Sequence, residues 1–223
     1  MAAPKLFKMI ILGAPGSGKG TISSRIVRDF GLKHLSSGDI LRSQIMNKTE
    51  LGREAEQHMA AGGLVPDDIM VGLISSQLQQ VQGGRGWLLD GFPRTTPQAQ
   101  QLQKMHQLDL VVSLEVPHEV IIDRIKGRWV HIPSGRVYNT DFNPPKKQGV
   151  DDETGEPLTQ RPDDHPEAVA RRLETYSSNT EPLLQFYGQL DLLKQFHGTE
   201  SNKIWPHVYE HLATFLQPSK ADK

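Results

Sequence analysis

Gly13-Ala14-Pro15-Gly16-Ser17-Gly18-Lys19-Gly20-Thr21 sets four glycines, a proline and a lysine within nine residues. Glycines let successive backbone N–H groups converge on one point, and the lysine adds a movable positive charge beside them. Phosphate oxygens are the natural guests of such a loop, which has the Walker pattern. Gly16, Ser17, Gly18, Lys19, Gly20 and Thr21 are therefore candidate contacts to a nucleoside triphosphate. Lys19 is placed to bridge the β- and γ-phosphates and follow charge as it moves. The common pattern has Ser or Thr directly after the lysine. Here Gly20 intervenes, and Thr21 is the hydroxyl residue nearest the magnesium position. Asp90 ends the apolar run Trp87-Leu88-Leu89, where the second Walker element carries a carboxylate that organises Mg²⁺ directly or through water. Mg²⁺ is thus the expected cofactor.

A phosphate loop works only between a strand and a helix. Met9-Ile10-Ile11-Leu12 is a continuous apolar run, as for a strand buried on both faces. A helix is expected from Gly18 to Phe30, with Ile22, Ile26, Val27 and Phe30 on one side. A short stretch follows at 33–35. Helices open at Ser37, near Thr49 and near Pro66, where proline suits a first turn. Further strands are expected at 87–90, 110–116 and 192–196, and further helices at 117–127, 166–185 and 202–215. Strands alternating with helices imply an α/β fold whose parallel sheet is covered on both faces. The pattern breaks between Gly127 and Asp164, which is rich in Gly, Pro, Asn and Asp. That stretch reads as a small inserted β lobe, a lid, because an unstructured loop of this length would be unusual in a compact domain.

The chain has 223 residues, enough for one sizeable core with small lobes. Its net charge of -1 gives no global pull toward nucleic acid or an anionic membrane, so neither is an expected partner. An anion site must be built locally. No cysteine is present, which removes disulfides and thiolate metal sites. No apolar run reaches the ~20 residues of a membrane span. The start, Met1 to Lys8, is basic, and the first acidic residue is Asp29. An uncleaved import signal and a plain cytosolic start both stay open, because the first strand begins at about Leu6.

Other segments narrow the class. They are Ser36-Ser37-Gly38-Asp39-Ile40-Leu41-Arg42, Asp90-Gly91-Phe92-Pro93-Arg94-Thr95, Gly135-Arg136-Val137-Tyr138, Phe142-Asn143-Pro144-Pro145 and Asp151 to Leu158. With the glycine loop they resemble the adenylate kinase family, long-lid type, over nearly the whole chain. The resemblance implies a P-loop nucleoside monophosphate kinase fold with core parts at 1–35, 66–126 and 165–223. It also implies an AMP-binding lobe at 36–65 and a lid at 127–164. The implied AMP-site positions are Ser37, Arg42, Gly63, Leu64, Val65, Gly91, Arg94 and Gln98, joined by Arg161 and Arg172. Arg42 and Arg94 can fork onto a phosphate with paired donors, and the Gln98 amide can meet the adenine edge. Arg128, Arg161 and Arg172 match the catalytic lid and hinge arginines, with Lys19 and Arg94. Arg171 stands beside Arg172, and only the helix register separates them. Val137 and Tyr138 match lid positions near the donor nucleotide, Arg124 the arginine that stacks on its base, and Thr199 the loop beside it.

Many bacterial relatives bind zinc in the lid through four cysteines. This chain has His131, Ser134, Asp151 and Thr154 at those positions, so a hydrogen-bonded cluster without zinc is expected. The ending Gly198 to Pro206 resembles the mitochondrial, GTP-using branch of the family. That branch implies GTP as donor, with ITP or ATP as weaker ones, AMP as acceptor, a monomer, and the mitochondrial matrix, with the cytoplasm as alternative. An ATP-preferring enzyme, a pyrimidine monophosphate kinase and a non-catalytic nucleotide-binding protein are the competing readings.

Overall fold

A computed structural model describes residues 5–60, 63–81 and 83–219 of the chain. Met1 to Pro4 of the basic start, and residues 61–62 of the expected AMP lobe, lie outside them.

The apolar runs become five parallel strands: β1 (Phe7–Gly13), β2 (Lys33–Ser36), β3 (Gly86–Asp90), β4 (Leu110–Glu115) and, late in the chain, an edge strand Leu193–His197. Their order is β2-β3-β1-β4 and then the Leu193–His197 strand. β1 therefore lies at the centre, paired with β3 on one side and β4 on the other. Its side chains alternate between two cores. Ile10 and Leu12 join Leu89, Phe92 and Leu102 on one face. Met9 and Ile11 join Ile22, Ile26 and Leu88 on the other. Both faces are dry, so the strand reads as unbroken apolar sequence rather than as alternation.

Helices α1 (Lys19–Phe30), α2 (Ser37–Met46), α3 (Glu50–Ala60) and α4 (Asp67–Gln79) follow in chain order. Ser36 caps α2 by accepting from the Asp39 N–H at 3.2 Å. Next comes α5 (Thr96–Met105), for which the sequence raised no expectation. Only Ala99 and Leu102 among its apolar residues are buried, so its periodicity is faint. The signal that marks it is Thr95 as N-cap with Pro97 in the first turn. After β4 come α6 (His118–Lys126) and a two-stranded antiparallel sheet, β5 (Arg128–His131) with β6 (Arg136–Asn139). Isolated bridges such as Val150 to Pro157 extend this small lobe inside the 127–164 stretch. A single 3-10 turn, Pro162–Asp164, leads into α7 (Pro166–Gln189), which runs on beyond the expected Gln185. The edge strand is β7, and α8 (Ser201–Ala213) packs Ile204, Val208 and Leu212 against the β1 face carrying Met9 and Ile11.

In such a sheet the crevice at the carboxyl ends of the strands is the binding edge. β1 ends in Gly13, β2 in Ser36 and β3 in Asp90, which puts the glycine loop, the start of α2 and the Asp90–Arg94 turn side by side.

Candidate active site

The loop after β1 is tight. Gly18 has φ +93, a backbone conformation that demands glycine, and a Cβ there would also require the Ser201 hydroxyl, 2.4 Å away, to turn aside. Lys19 folds back to donate to the carbonyls of Gly13 (2.6 Å) and Ala14 (2.9 Å). Burial lowers its ammonium to about 8, against the pull of Asp90, and Arg94, Arg172 and Arg128 push the same way as burial. Ser17 Oγ is buried and has no partner. Gly20 and Thr21 are exposed.

Asp90 is 8% exposed. Its Oδ2 accepts from Ser23 Oγ at 3.5 Å and lies 3.7 Å from His34 Nε2. Ser23, rather than Thr21, is thus the α1 hydroxyl at this carboxylate. No group of three or more His, Cys, Asp or Glu able to hold a metal gathers among the described residues. A single hard carboxylate beside the phosphate loop fits Mg²⁺, which keeps its water and phosphate ligands.

Across the cleft one cavity is lined by Leu41, Arg42, Met59, Gly63, Leu64, Val65, Met70, Arg94, Gln98, Asp163 and Arg172. It gathers residues from α2, α3, α4, α5, α7 and three connecting segments. Most acceptor-side residues expected from sequence fall here; Leu41, Met59, Met70 and Asp163 were not foreseen. Ser37 and Gly91 lie together, since a Cβ on Gly91 would meet Ser37 Oγ at 2.7 Å. Ser37 Oγ is buried without a partner. Arg94 Nε donates to the Gly91 carbonyl at 2.8 Å, and Arg42 pairs with Asp39.

The arginines converge. Arg128 grips Asp164 with two donors, its Nε at 2.8 Å from Oδ2. Arg172 meets Asp163 Oδ2 at 2.7 Å and the Asp163 carbonyl at 3.0 Å. Arg171 is exposed, so the register of α7 turns Arg172 to the cleft. Arg161 Nε is buried and unpartnered. Burial, with help from Arg42 and Arg128, lowers Arg161 to about 9. Arg94 is open to solvent in the cleft, yet crowding by protein atoms, with help from Arg172 and Arg42, lowers it to about 10. An arginine holds its proton in a protein, so this pull expresses unrelieved positive charge. The cleft is built to receive anions.

On the loop side Arg124 donates to the carbonyls of Thr199 (2.8 Å) and Gly16 (3.3 Å) and lies 5.5 Å from the Phe142 ring centre. Arg124 and Thr199 are thus brought together, with Phe142 an unforeseen third. Val137 is exposed. Tyr138 points elsewhere: it is 5% exposed, and its hydroxyl donates to Asp151 Oδ1 at 2.9 Å. Only its backbone remains for a nucleotide.

The β5–β6 lobe carries the expected polar cluster. His131 Nδ1 meets Ser134 Oγ at 2.7 Å, and Thr154 Oγ1 donates to Asp151 Oδ2 at 3.0 Å. Arg136 and Glu156 complete it: Arg136 donates twice to Asp151 (2.8 and 2.7 Å), and Glu156 meets His131 Nε2 at 2.6 Å. The Arg136 hydrogen bonds hold the Asp151 carboxyl well below the usual carboxylate range. A depressed carboxylate stabilises the fold above its unfolded value near 4, and that stabilisation is lost as pH falls toward the folded value. Asp151→Asn is therefore expected to lower Tm at pH 7, with the gap to wild type closing below about pH 4. Thermal melts across pH, run with and without a chelator, check this. A gap independent of pH, or a wild-type Tm lowered by chelation, would contradict the cluster's role.

A five-stranded parallel sheet with a phosphate loop on its central strand, facing a cleft ringed by arginines, defines a phosphoryl-transfer enzyme. The adenylate kinase family model matches residues 11–192, and the chain belongs to that family. The chain is also similar to the mitochondrial GTP:AMP phosphotransferase of Drosophila melanogaster. The two are 50% identical over 202 residues, which cover 91% of this chain and 93% of that protein.

Proposed function

We propose that this chain transfers the γ-phosphate of GTP to AMP, reversibly, giving GDP and ADP. The observation that carries the reading is the cavity where Arg42, Arg94 and Arg172 converge with Gln98. Arg94 and Arg172 are close enough to Lys19 to depress its charge, which supports one continuous path between donor and acceptor phosphates.

The acceptor oxygen needs no general base, because a phosphate monoester's second pKa is about 6. Catalysis is positioning plus charge stabilisation. Gly16 to Gly20 cradle the donor phosphates, and Lys19 follows the transferring group. Arg42 and Arg94 hold the AMP phosphate. Arg128, Arg161 and Arg172 close over the developing charge. Arg124 stacks on the donor base beside Thr199 and the Val137–Tyr138 backbone. Mg²⁺ bound with the triphosphate supplies charge neutralisation, and Asp90 would hold it through water, with Ser23 beside the carboxylate.

Residues 36–65 serve as the AMP lobe, 127–164 as the lid, and the remainder as core. The tip of the β5–β6 turn supports this: a Cβ on Gly135 would lie 3.5 Å from Asp39 Oδ2 in α2. A closed lid excludes water, which would otherwise accept the phosphoryl group. The residues assigned to the reaction need no second copy of the chain to complete the site, and we take the enzyme to be a monomer. No helix of the described residues is long and apolar enough to cross a membrane. Likeness to the mitochondrial relative supports a mitochondrial location, and we place the enzyme in the matrix.

Donor choice rests on that same likeness, because stacking on Arg124 reads the edge of a base weakly. Initial rates with GTP, ITP and ATP at matched concentrations and fixed AMP are expected to give GTP the highest kcat/KM. A higher value for ATP would overturn the GTP assignment and leave the monophosphate kinase reading intact.

A further inference from the structure

Gln98 is 2% exposed and lines the acceptor cavity. Its amide has two unlike ends, and each is bound to a partner of fixed character. Oε1 accepts from the Arg94 backbone N–H at 2.7 Å. Nε2 donates to Asp67 Oδ1 at 2.7 Å. The other Asp67 oxygen accepts from Thr95 Oγ1 at 2.9 Å, and Thr95 caps α5, the helix that carries Gln98. A backbone N–H only donates and a carboxylate only accepts. Turning the amide by 180° would set oxygen against carboxylate and NH₂ against N–H, breaking both bonds in a buried place. The amide is therefore locked in one polarity from both sides, and Asp67 does not itself line the cavity.

Polarity is what separates purines at the six-position. Adenine carries an amino donor there; hypoxanthine and guanine carry a carbonyl acceptor. The locked amide has one oxygen lone pair and one N–H left over. The first accepts from the six-amino group and the second donates to a neighbouring ring nitrogen. A six-oxo purine would face lone pair against lone pair. We propose that Asp67 is a positioning residue that fixes the Gln98 amide and thereby selects adenine over six-oxo purines in the acceptor. This rests on the cavity being the AMP site.

The test is initial rates with AMP and IMP as acceptors, at saturating GTP and Mg²⁺, for wild type, Asp67→Ala, Asp67→Asn and Gln98→Ala. In Asp67→Ala, KM for AMP is expected to rise, and the AMP/IMP ratio of kcat/KM to fall about tenfold, the size of one misread base edge. KM for GTP should hold. Asp67→Asn keeps an oxygen acceptor for Gln98 and should restore the ratio, which a merely structural role would not require. If Gln98→Ala narrows the ratio and Asp67→Ala does not, the positioning role falls alone. If Gln98→Ala leaves both acceptors unchanged, the reading of the cavity falls and takes the proposal with it. Should Asp67→Ala fail to fold, NMR of the wild-type Gln98 side-chain amide decides. Nε2 protons protected from solvent exchange, with relaxation showing one orientation about the Cγ–Cδ bond, support the lock; unprotected protons and averaging about that bond overturn it.

Discussion

Lys19→Met is expected to lower kcat by about 10²–10³, the usual loss for one main charge contact to a transition state. The unliganded lysine is poised rather than content. It is held by two carbonyls, yet burial lowers its ammonium to about 8. A triphosphate replaces those carbonyls with anionic oxygens and restores the preference for charge. Methionine keeps much of the length and no charge, so the loop and the β1 core should survive. A second readout follows from the sign of the shift. A lowered lysine loses its proton as pH rises through the lowered value, so kcat/KM for the donor should decline above about pH 8. Because kcat/KM reports the free enzyme, kcat itself should hold to higher pH, where bound phosphate keeps the proton on. A coupled assay of diphosphate release, with thermal melts of the mutant, measures both. A folded mutant retaining wild-type kcat would remove Lys19 from the mechanism.

Arg94→Ala should cost the acceptor reaction on the order of 10²–10⁴ in kcat/KM for AMP, from two charge-assisted hydrogen bonds of roughly 1.5–3 kcal/mol each. KM for the donor should change little, because Arg94 belongs to the acceptor cavity. Stability should move differently. Arg94 is open to the cleft, where solvent screens its repulsion with Arg172 and Arg42, so its removal relieves little in the unliganded protein. Against that stands one lost bond, Nε to the Gly91 carbonyl. Tm of the free mutant is expected to stay close to that of wild type, while the extra Tm that AMP confers on wild type disappears. Equal losses of donor and AMP affinity would show that the arginine does not divide the two sides as assigned. A large fall in Tm without ligand would show that it is structural.

What the sequence determined by itself was whatever sits in contiguous, short-range order. The phosphate loop is nine consecutive residues between an apolar run and an amphipathic one. Its conformation is set by local glycine geometry, so its placement on β1 and α1 was legible at once. The parallel sheet was legible because strands dry on both faces are apolar throughout. α5 was not, because a helix with only two buried apolar residues leaves hardly any period to read. The choice of Arg172 over Arg171 needed the register of α7 against Asp163 and Asp164. Tyr138 lies in a segment like those that meet nucleotides, yet Asp151, 13 residues away, draws its hydroxyl into the lobe. The amide of Gln98 is held by Asp67, 31 residues earlier, on a different helix. These contacts join groups that no local spacing relates. The order of strands in the sheet and the docking of helices across its edge decide them, because hydrogen bonds and ion pairs act over a few ångströms of space and not along the chain.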